Sequence, residues 1–272
     1  MKIFVTGKNG FLATNIIHYC YKNNIDIIDD DIDLSFKNKF DNSYEDVDLF
    51  IHTAVSKKDD MILNQTINLN AISLWKNNFK NSKFIGFGSS GAYEGKIAFE
   101  KDYFKSRKVN SYIISKRNLL ITLDLFSNWK YLILTSMFGE NFKLNDNHLM
   151  HEMITKIYNL KMNKKIKKIN LHKDSYRNFL YVNDVVNFIF DKKNDNEKMM
   201  NLAGNRVKLS YCAEIIANEF NYDLKFDDLF IKTKKVDGIN IKSNVVNFKF
   251  TPIEHSLKNT INYFKKINEK TY

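Results

Sequence analysis

Tyr112 and Lys116 stand four residues apart within Ser111–Phe126, whose apolar spacing predicts a helix. Residues four apart on a helix share a face. A phenol normally titrates near about 10. An ammonium beside it favours the phenolate and lets the tyrosine exchange a proton with an oxygen near neutral pH. Ser89 follows the apolar run Phe84–Phe87 and brings a hydroxyl able to hold the same oxygen, with Ser90 as the alternative. Such a trio suits redox chemistry at an alcohol or ketone carbon. The Tyr-x-x-x-Lys spacing alone also describes ordinary surface pairs, so its weight rests on what precedes it in the chain.

What precedes it is Thr6-Gly7-Lys8-Asn9-Gly10, set between the apolar run Lys2–Val5 and the amphipathic stretch Leu12–Lys22. A strand–glycine turn–helix unit brings bare backbone close to a pyrophosphate and offers it a helix amino end. Ala13 occupies the third small position and still permits close helix–strand packing. The acids Asp29-Asp30-Asp31 fall where the second strand should end. A carboxylate there bonds the ribose hydroxyls of a dinucleotide and repels a 2′-phosphate, which favours NADH. Lys8 partly offsets that repulsion, so NADH and NADPH both stay open.

Short apolar runs alternate with longer amphipathic stretches. Lys2–Val5, Ile25–Ile28, Leu49–His52, Phe84–Phe87 and Tyr131–Leu134 read as strands, and Leu12–Lys22, Ile62–Phe79 and Ser111–Phe126 as helices. This alternation implies an α/β fold with a doubly wound parallel sheet. Asp184–Phe190 begins a further helix and Met200–Ala203 reads as a late strand. Past Gly204 the pattern is irregular until Thr251-Pro252, which opens a last helix with Thr as its cap. The expected division is a dinucleotide-binding domain over 1–138 and a mainly substrate-binding lobe over 139–272, with about 177–203 returning to the first domain.

The chain of 272 residues carries a formal charge of +11 and two cysteines, Cys20 and Cys212. Two cysteines make neither a disulfide framework nor a metal site. No apolar run approaches the roughly 18 residues that span a bilayer, and Met1–Val5 is too short for a signal peptide. The expectation is a cytoplasmic protein without a membrane or nucleic-acid partner. The lysine cluster Lys161–Lys168 reads as a solvated face able to attract small anions.

These features resemble the extended short-chain dehydrogenase/reductase family that acts on nucleotide sugars. Thr6-Gly7-x-x-Gly10-Phe11-Leu12 resembles its cofactor loop, which implies that Gly7, Asn9, Gly10, Phe11 and Leu12 meet the dinucleotide. His52-Thr53-Ala54 resembles its third-strand end, which adds Ala54, and Asp31 would take the ribose. Asn68-Leu69-Asn70-Ala71 resembles its Asn-Val-x-Gly motif, Ser89 to Tyr93 its serine segment, and Tyr112/Lys116 its active pair. Arg177 to Asp184 resembles an Arg-Asp-Phe-x-x-Val-x-Asp stretch, and Phe250-Thr251-Pro252 the entry to its last helix.

The resemblance implies a Rossmann-like domain with a small C-terminal lobe and NAD(P)H as cofactor. It also implies a nucleotide-diphosphate sugar as substrate and a homodimer through the Tyr-x-x-x-Lys helix. Ser89, Tyr112 and Lys116 would be catalytic. Ser90, Ser136, His148 and Arg177 would meet the substrate, Arg177 at the pyrophosphate. Ser136 stands where the family usually has Asn, and Gly91 where its C3/C5-epimerising members have Cys. The compact segment after the second strand resembles the 4-keto-sugar reductases more than the 4-epimerases. The expected activity is therefore reduction of a C4 ketone, without inversion at C3 or C5. A 4-epimerase with tightly bound NAD and a non-catalytic dinucleotide sensor are the rival readings.

Overall fold

A computed structural model describes residues 1–28, 30, 32–36, 44–56, 60–107, 109–143, 148–162, 168–191, 197–231, 237–243 and 248–269. The first part of the chain runs β1 (Lys2–Thr6), α1 (Phe11–Lys22), β2 (Asp26–Ile28), β3 (Leu49–His52), α2 (Met61–Asn78), β4 (Lys83–Ser89), β5 (Ile97–Ala98), α3 (Ser111–Leu123) and β6 (Trp129–Leu134). There follow β7 (Ser136–Phe138), α4 (Leu149–Lys161), β8 (Tyr176–Tyr181), α5 (Val182–Phe190), β9 (Met199–Leu202) and β10 (Asn205–Lys208). The chain closes with α6 (Leu209–Glu219), α7 (Phe226–Leu229), β11 (Asn240–Ile241) and α8 (Ile253–Glu269).

Six strands form a parallel sheet in the order β2-β1-β3-β4-β6-β9. Strand β1 is buried from Ile3 onward and β6 along its whole length, as strands covered on both faces must be. On one face Phe4, Phe50 and Phe84 pack with Trp75 of α2 and Leu119 of α3. On the other, Val5 and Leu132 pack with Ile16 of α1 and Val185 of α5. This is a Rossmann-like α/β architecture. A second sheet, β10-β8-β7, belongs with α4, α6 and α8, whose apolar faces share a separate core around Phe138, Ile154, Ile216 and Leu257.

Local chemistry sets where the helices begin. The Asp60 carboxylate accepts the Leu63 N–H at 2.9 Å to start α2, and the side-chain oxygen Oδ1 of Asn110 accepts the Ile113 N–H at 2.9 Å to start α3. Helix α3 stops at Leu123, short of the expected Phe126, because the Phe126 N–H turns back to Leu123 O at 2.9 Å. At α8 the expected cap differs too. Thr251 donates its hydroxyl to Asp184 Oδ1 at 2.7 Å and its N–H to Oδ2 at 2.9 Å, so it ties the helix entry to α5. The first helical carbonyl is that of Pro252, which accepts the Ser256 N–H at 3.1 Å. Among the described residues no helix is long and apolar enough to cross a membrane.

Candidate active site

The strand order turns back beside β1, which has β2 on one side and β3 on the other. Crevices at such a reversal, beyond the carboxyl ends of the strands, are where open α/β sheets bind ligands. Gly7 leaves β1 there with φ 71°. A Cβ on it would stand 2.7 Å from Ala54 Cα and 2.8 Å from Ala54 N. Glycine is needed both for that backbone sign and for that space. Gly10 donates its N–H to Gly7 O at 2.9 Å and opens α1 without a side-chain cap. The first-turn N–H groups of α1 therefore keep their preference for an anion. Close glycine backbone beside an uncapped helix end fits the pyrophosphate of a dinucleotide.

A cleft of about 870 Å³ runs along this edge of the sheet. Gly7, Asn9, Gly10, Phe11, Leu12 and Ala54, the residues that the resemblance assigns to the dinucleotide, line it. Asp31 lies outside the described residues, but its neighbours Asp30 and Asp33 line the cleft beyond β2. Further along the same cleft stand Ser89, Tyr112 and Lys116, then Ser136 and His148. The glycine turn and the Ser/Tyr/Lys trio thus share one cavity.

Not every candidate joins them. Ser90 opens the short turn after β4, and its carbonyl accepts the Tyr93 N–H at 3.2 Å; it is outside the cleft lining. Arg177 is also outside it. Its place is on β8 in the second sheet, where Nη1 donates to Tyr176 O at 2.9 Å. Two lobe residues that the motifs did not single out do line the cleft, Asn141 and Lys143. Lys143 Nζ donates to Asn9 O at 3.4 Å, and Asn141, at φ 59°, donates to Asn15 Oδ1 at 3.0 Å. The left-handed backbone that Asn tolerates is the one sequence signal for that turn.

Ser89 ends β4, and its Oγ accepts the Gly91 N–H at 3.2 Å, which leaves the hydroxyl hydrogen for another oxygen. Lys116 Nζ lies over the Tyr112 ring, 5.6 Å from its centre. Burial pushes the ammonium down to about 8. The sequence led us to expect a lowered phenol, but burial, helped by Tyr103, pushes Tyr112 up to about 12. Desolvation outweighs the neighbouring cation here, so near neutral pH Tyr112 holds its proton and Lys116 its charge.

His148 stands at the start of α4, its ring 5.2 Å from that of Phe11. Behind it His151 is buried, stacked 4.0 Å from Phe142, and its Nε2 accepts the Gly139 N–H at 3.1 Å. Cys20 on α1 and Cys212 on α6 are buried away from the cleft, and burial raises both thiols.

Solved structures share this architecture at low identity. A GDP-L-fucose synthetase from Naegleria fowleri bound to NADP is 19% identical, with a TM-score of 0.76, 98% of this chain covered and 95% of that one. A UDP-glucose 4-epimerase from Thermotoga maritima with UDP-glucose is 17% identical, with a TM-score of 0.75, covering 98% of this chain and 100% of that one. A dTDP-glucose 4,6-dehydratase from Bacillus anthracis in complex with NAD is 14% identical, with a TM-score of 0.73 and coverage of 99% and 98%. No curated protein matches the chain by sequence. The family model of the NAD dependent epimerase/dehydratase family matches residues 3–203, the stretch that holds the glycine turn, Ser89, Tyr112 and Lys116, and the chain belongs to that family.

Proposed function

We propose that the protein reduces the C4 ketone of a nucleotide-diphosphate 4-keto-6-deoxy sugar with NAD(P)H and leaves C3 and C5 unchanged. The observation that carries this reading is the single cleft lined by both the glycine turn and Ser89, Tyr112 and Lys116. The nicotinamide, when bound, supplies the hydride. The chain's own residues do the rest. Ser89 donates its free hydroxyl hydrogen to the ketone oxygen and orients it. Tyr112, protonated at neutral pH, gives that oxygen its proton. The Lys116 ammonium stabilises the resulting phenolate and offers donors to the nicotinamide ribose. Gly7, Gly10 and the first turn of α1 hold the pyrophosphate.

Inversion at C3 or C5 needs a base to remove a carbon-bound proton and an acid to return one on the opposite face. Gly91 brings no titratable group to the position where a cysteine would serve. Neither Cys20 nor Cys212 lines the cleft, so His148 is left as a polar contact to the sugar. Arg177 would reach a nucleotide pyrophosphate from the second sheet, in the lobe that takes the sugar. Asp30 and Asp33 at the ribose end support NADH, with NADPH use allowed. The exposed Ile121 of α3 and Ile62 and Leu69 of α2 support a homodimer through these helices. The protein would then serve surface-polysaccharide sugar synthesis in the cytoplasm.

The test is turnover of a panel of 4-keto-6-deoxy nucleotide sugars with NADH and with NADPH, in deuterated water, with NMR of the product. Dinucleotide oxidation with no enzyme-dependent deuterium at C3 or C5 is the expected result. Deuterium at either carbon would show that another residue supplies the missing base. Failure of the whole panel would remove the assigned substrate.

A further inference from the structure

Thr6, His52, Asn68 and Ser115 are all buried, and one chain of hydrogen bonds joins them. Asn68 Nδ2 donates to Ser115 O at 3.0 Å, which turns its Oδ1 toward His52 Nε2, 3.1 Å away. An amide oxygen only accepts, so Nε2 carries the hydrogen. His52 Nδ1 is then bare and accepts the Thr6 hydroxyl at 2.8 Å. Thr6 Oγ1 in turn accepts the Ala54 N–H at 3.3 Å. Every donor in this series has one direction. It starts where Ala54 closes on Gly7 and ends on the carbonyl just before Lys116. The next carbonyl, that of Lys116, accepts the Tyr131 hydroxyl at 2.7 Å. Two consecutive carbonyls of α3, those of Ser115 and Lys116, are thus held by side chains from α2 and β6.

We propose that His52 is a positioning residue: through Asn68 it sets the depth and rotation of α3, and so the placement of Tyr112 and Lys116 against the cofactor edge of the sheet. This rests on the reaction proposed above for its kinetic consequence, but the placement of α3 is a property of the chain itself. His52 is not among the residues that line the cleft, and burial with the nearby Lys116 charge keeps it neutral, so it takes no part in proton transfer. Its effect is geometric, and misplacement of a catalytic group by an ångström costs up to about 100-fold in rate.

The test compares His52→Phe, His52→Gln and Asn68→Asp. Phenylalanine keeps a ring but no polar atoms. Glutamine retains an N–H for Asn68. Aspartate keeps an acceptor for His52 and loses the donor to Ser115. Three readouts are taken: kcat, the dissociation constant of NADH and NADPH by fluorescence, and amide hydrogen exchange by mass spectrometry. Phe and Asp should lower kcat at least about 10-fold while the dinucleotide constant stays within about threefold. Exchange should quicken in α3 and remain slow in β1 and β4. Glutamine should recover most of the loss. Slow α3 exchange in both His52→Phe and Asn68→Asp would overturn the proposal whatever the reaction proves to be. So would faster exchange throughout the sheet with no rescue by glutamine, since that marks a general structural role. Faster α3 exchange in a protein that turns over none of the sugars would leave the positioning intact and refute the assigned reaction alone.

Discussion

Substituting Gly7 by alanine tests whether the turn after β1 is shaped for a ligand or is merely a connection. The new Cβ would meet the Ala54 backbone at 2.7 and 2.8 Å and Ala54 Cβ at 3.1 Å. That backbone has little room to retreat, because Thr53 Oγ1 donates to Thr6 O at 2.7 Å and ties the end of β3 to the end of β1. The left-handed conformation alone costs a non-glycine residue about 1–2 kcal/mol. For a chain of this size that lowers Tm by roughly 2–8 °C before the crowding is counted. Relief of the contact must move the loop whose backbone faces the pyrophosphate, so NADH and NADPH affinity should fall at least about 10-fold, or about 1.4 kcal/mol. Gly95 supplies the control: its φ is 91°, yet a Cβ there meets nothing within 4 Å. Gly95→Ala should therefore show a loss of Tm without a loss of affinity. Fluorescence titration with both dinucleotides and thermal unfolding of both variants give the answer. Unchanged affinity in Gly7→Ala, or an equal loss in Gly95→Ala, would refute the reasoning.

Three further outcomes are expected. Tyr112→Phe should bind dinucleotide normally and lose at least about 100-fold in kcat, about 2.7 kcal/mol of barrier; near-normal turnover would remove Tyr112 as the proton donor. Lys116 acts as an ammonium whose pKa burial has lowered to about 8, so kcat should decline as pH rises through that value, whereas a profile flat up to the ordinary 10.5 would contradict its role. His52 and His151 are each held neutral, near about 3 in place of 6.5, mainly by burial. Their contribution to stability is complete above the unfolded value and is lost as pH falls below it, by up to about 1.4 kcal/mol per pH unit for each histidine. Urea midpoints measured from neutral to mildly acidic pH should fall accordingly, and a flat series would count against both buried neutral rings.

Much of the first half of the fold is legible in the sequence because β1, β3, β4 and β6 are largely buried runs between helices with a clear start. The same sequence order places Gly7, Ser89 and Tyr112 at the ends of three elements that meet at one edge of the sheet. The second half is harder to read for a physical reason. Strand β10 is half-buried along its whole length, so no alternation marks it. Helices α4 and α6 do space their buried residues as a helix must, at Met150, Met153, Ile154 and Ile157 and at Leu209, Cys212, Ala213 and Ile216, but no strand–glycine turn of the kind that opens α1 introduces them in the sequence. Arg177 shows the same limit: its motif is recognisable, but its place on β8 of the second sheet, outside the cleft lining, is not written in the motif. The phenol of Tyr112 shows another limit, because spacing names a cation neighbour but not the depth of burial that outweighs it. The His52–Asn68 link could not be read at all, since it joins residues whose side-chain directions only the packed sheet defines.

The most direct test of the central claim is transfer of a label from the cofactor. NADH and NADPH deuterated at the nicotinamide C4 position that is transferred should each be supplied with a 4-keto-6-deoxy nucleotide sugar, and the product read by NMR and mass spectrometry. One deuterium at sugar C4 and one dinucleotide oxidised for each ketone consumed are expected. Protein that carries tightly bound NAD, interconverts C4 epimers and consumes no added dinucleotide would contradict the claim.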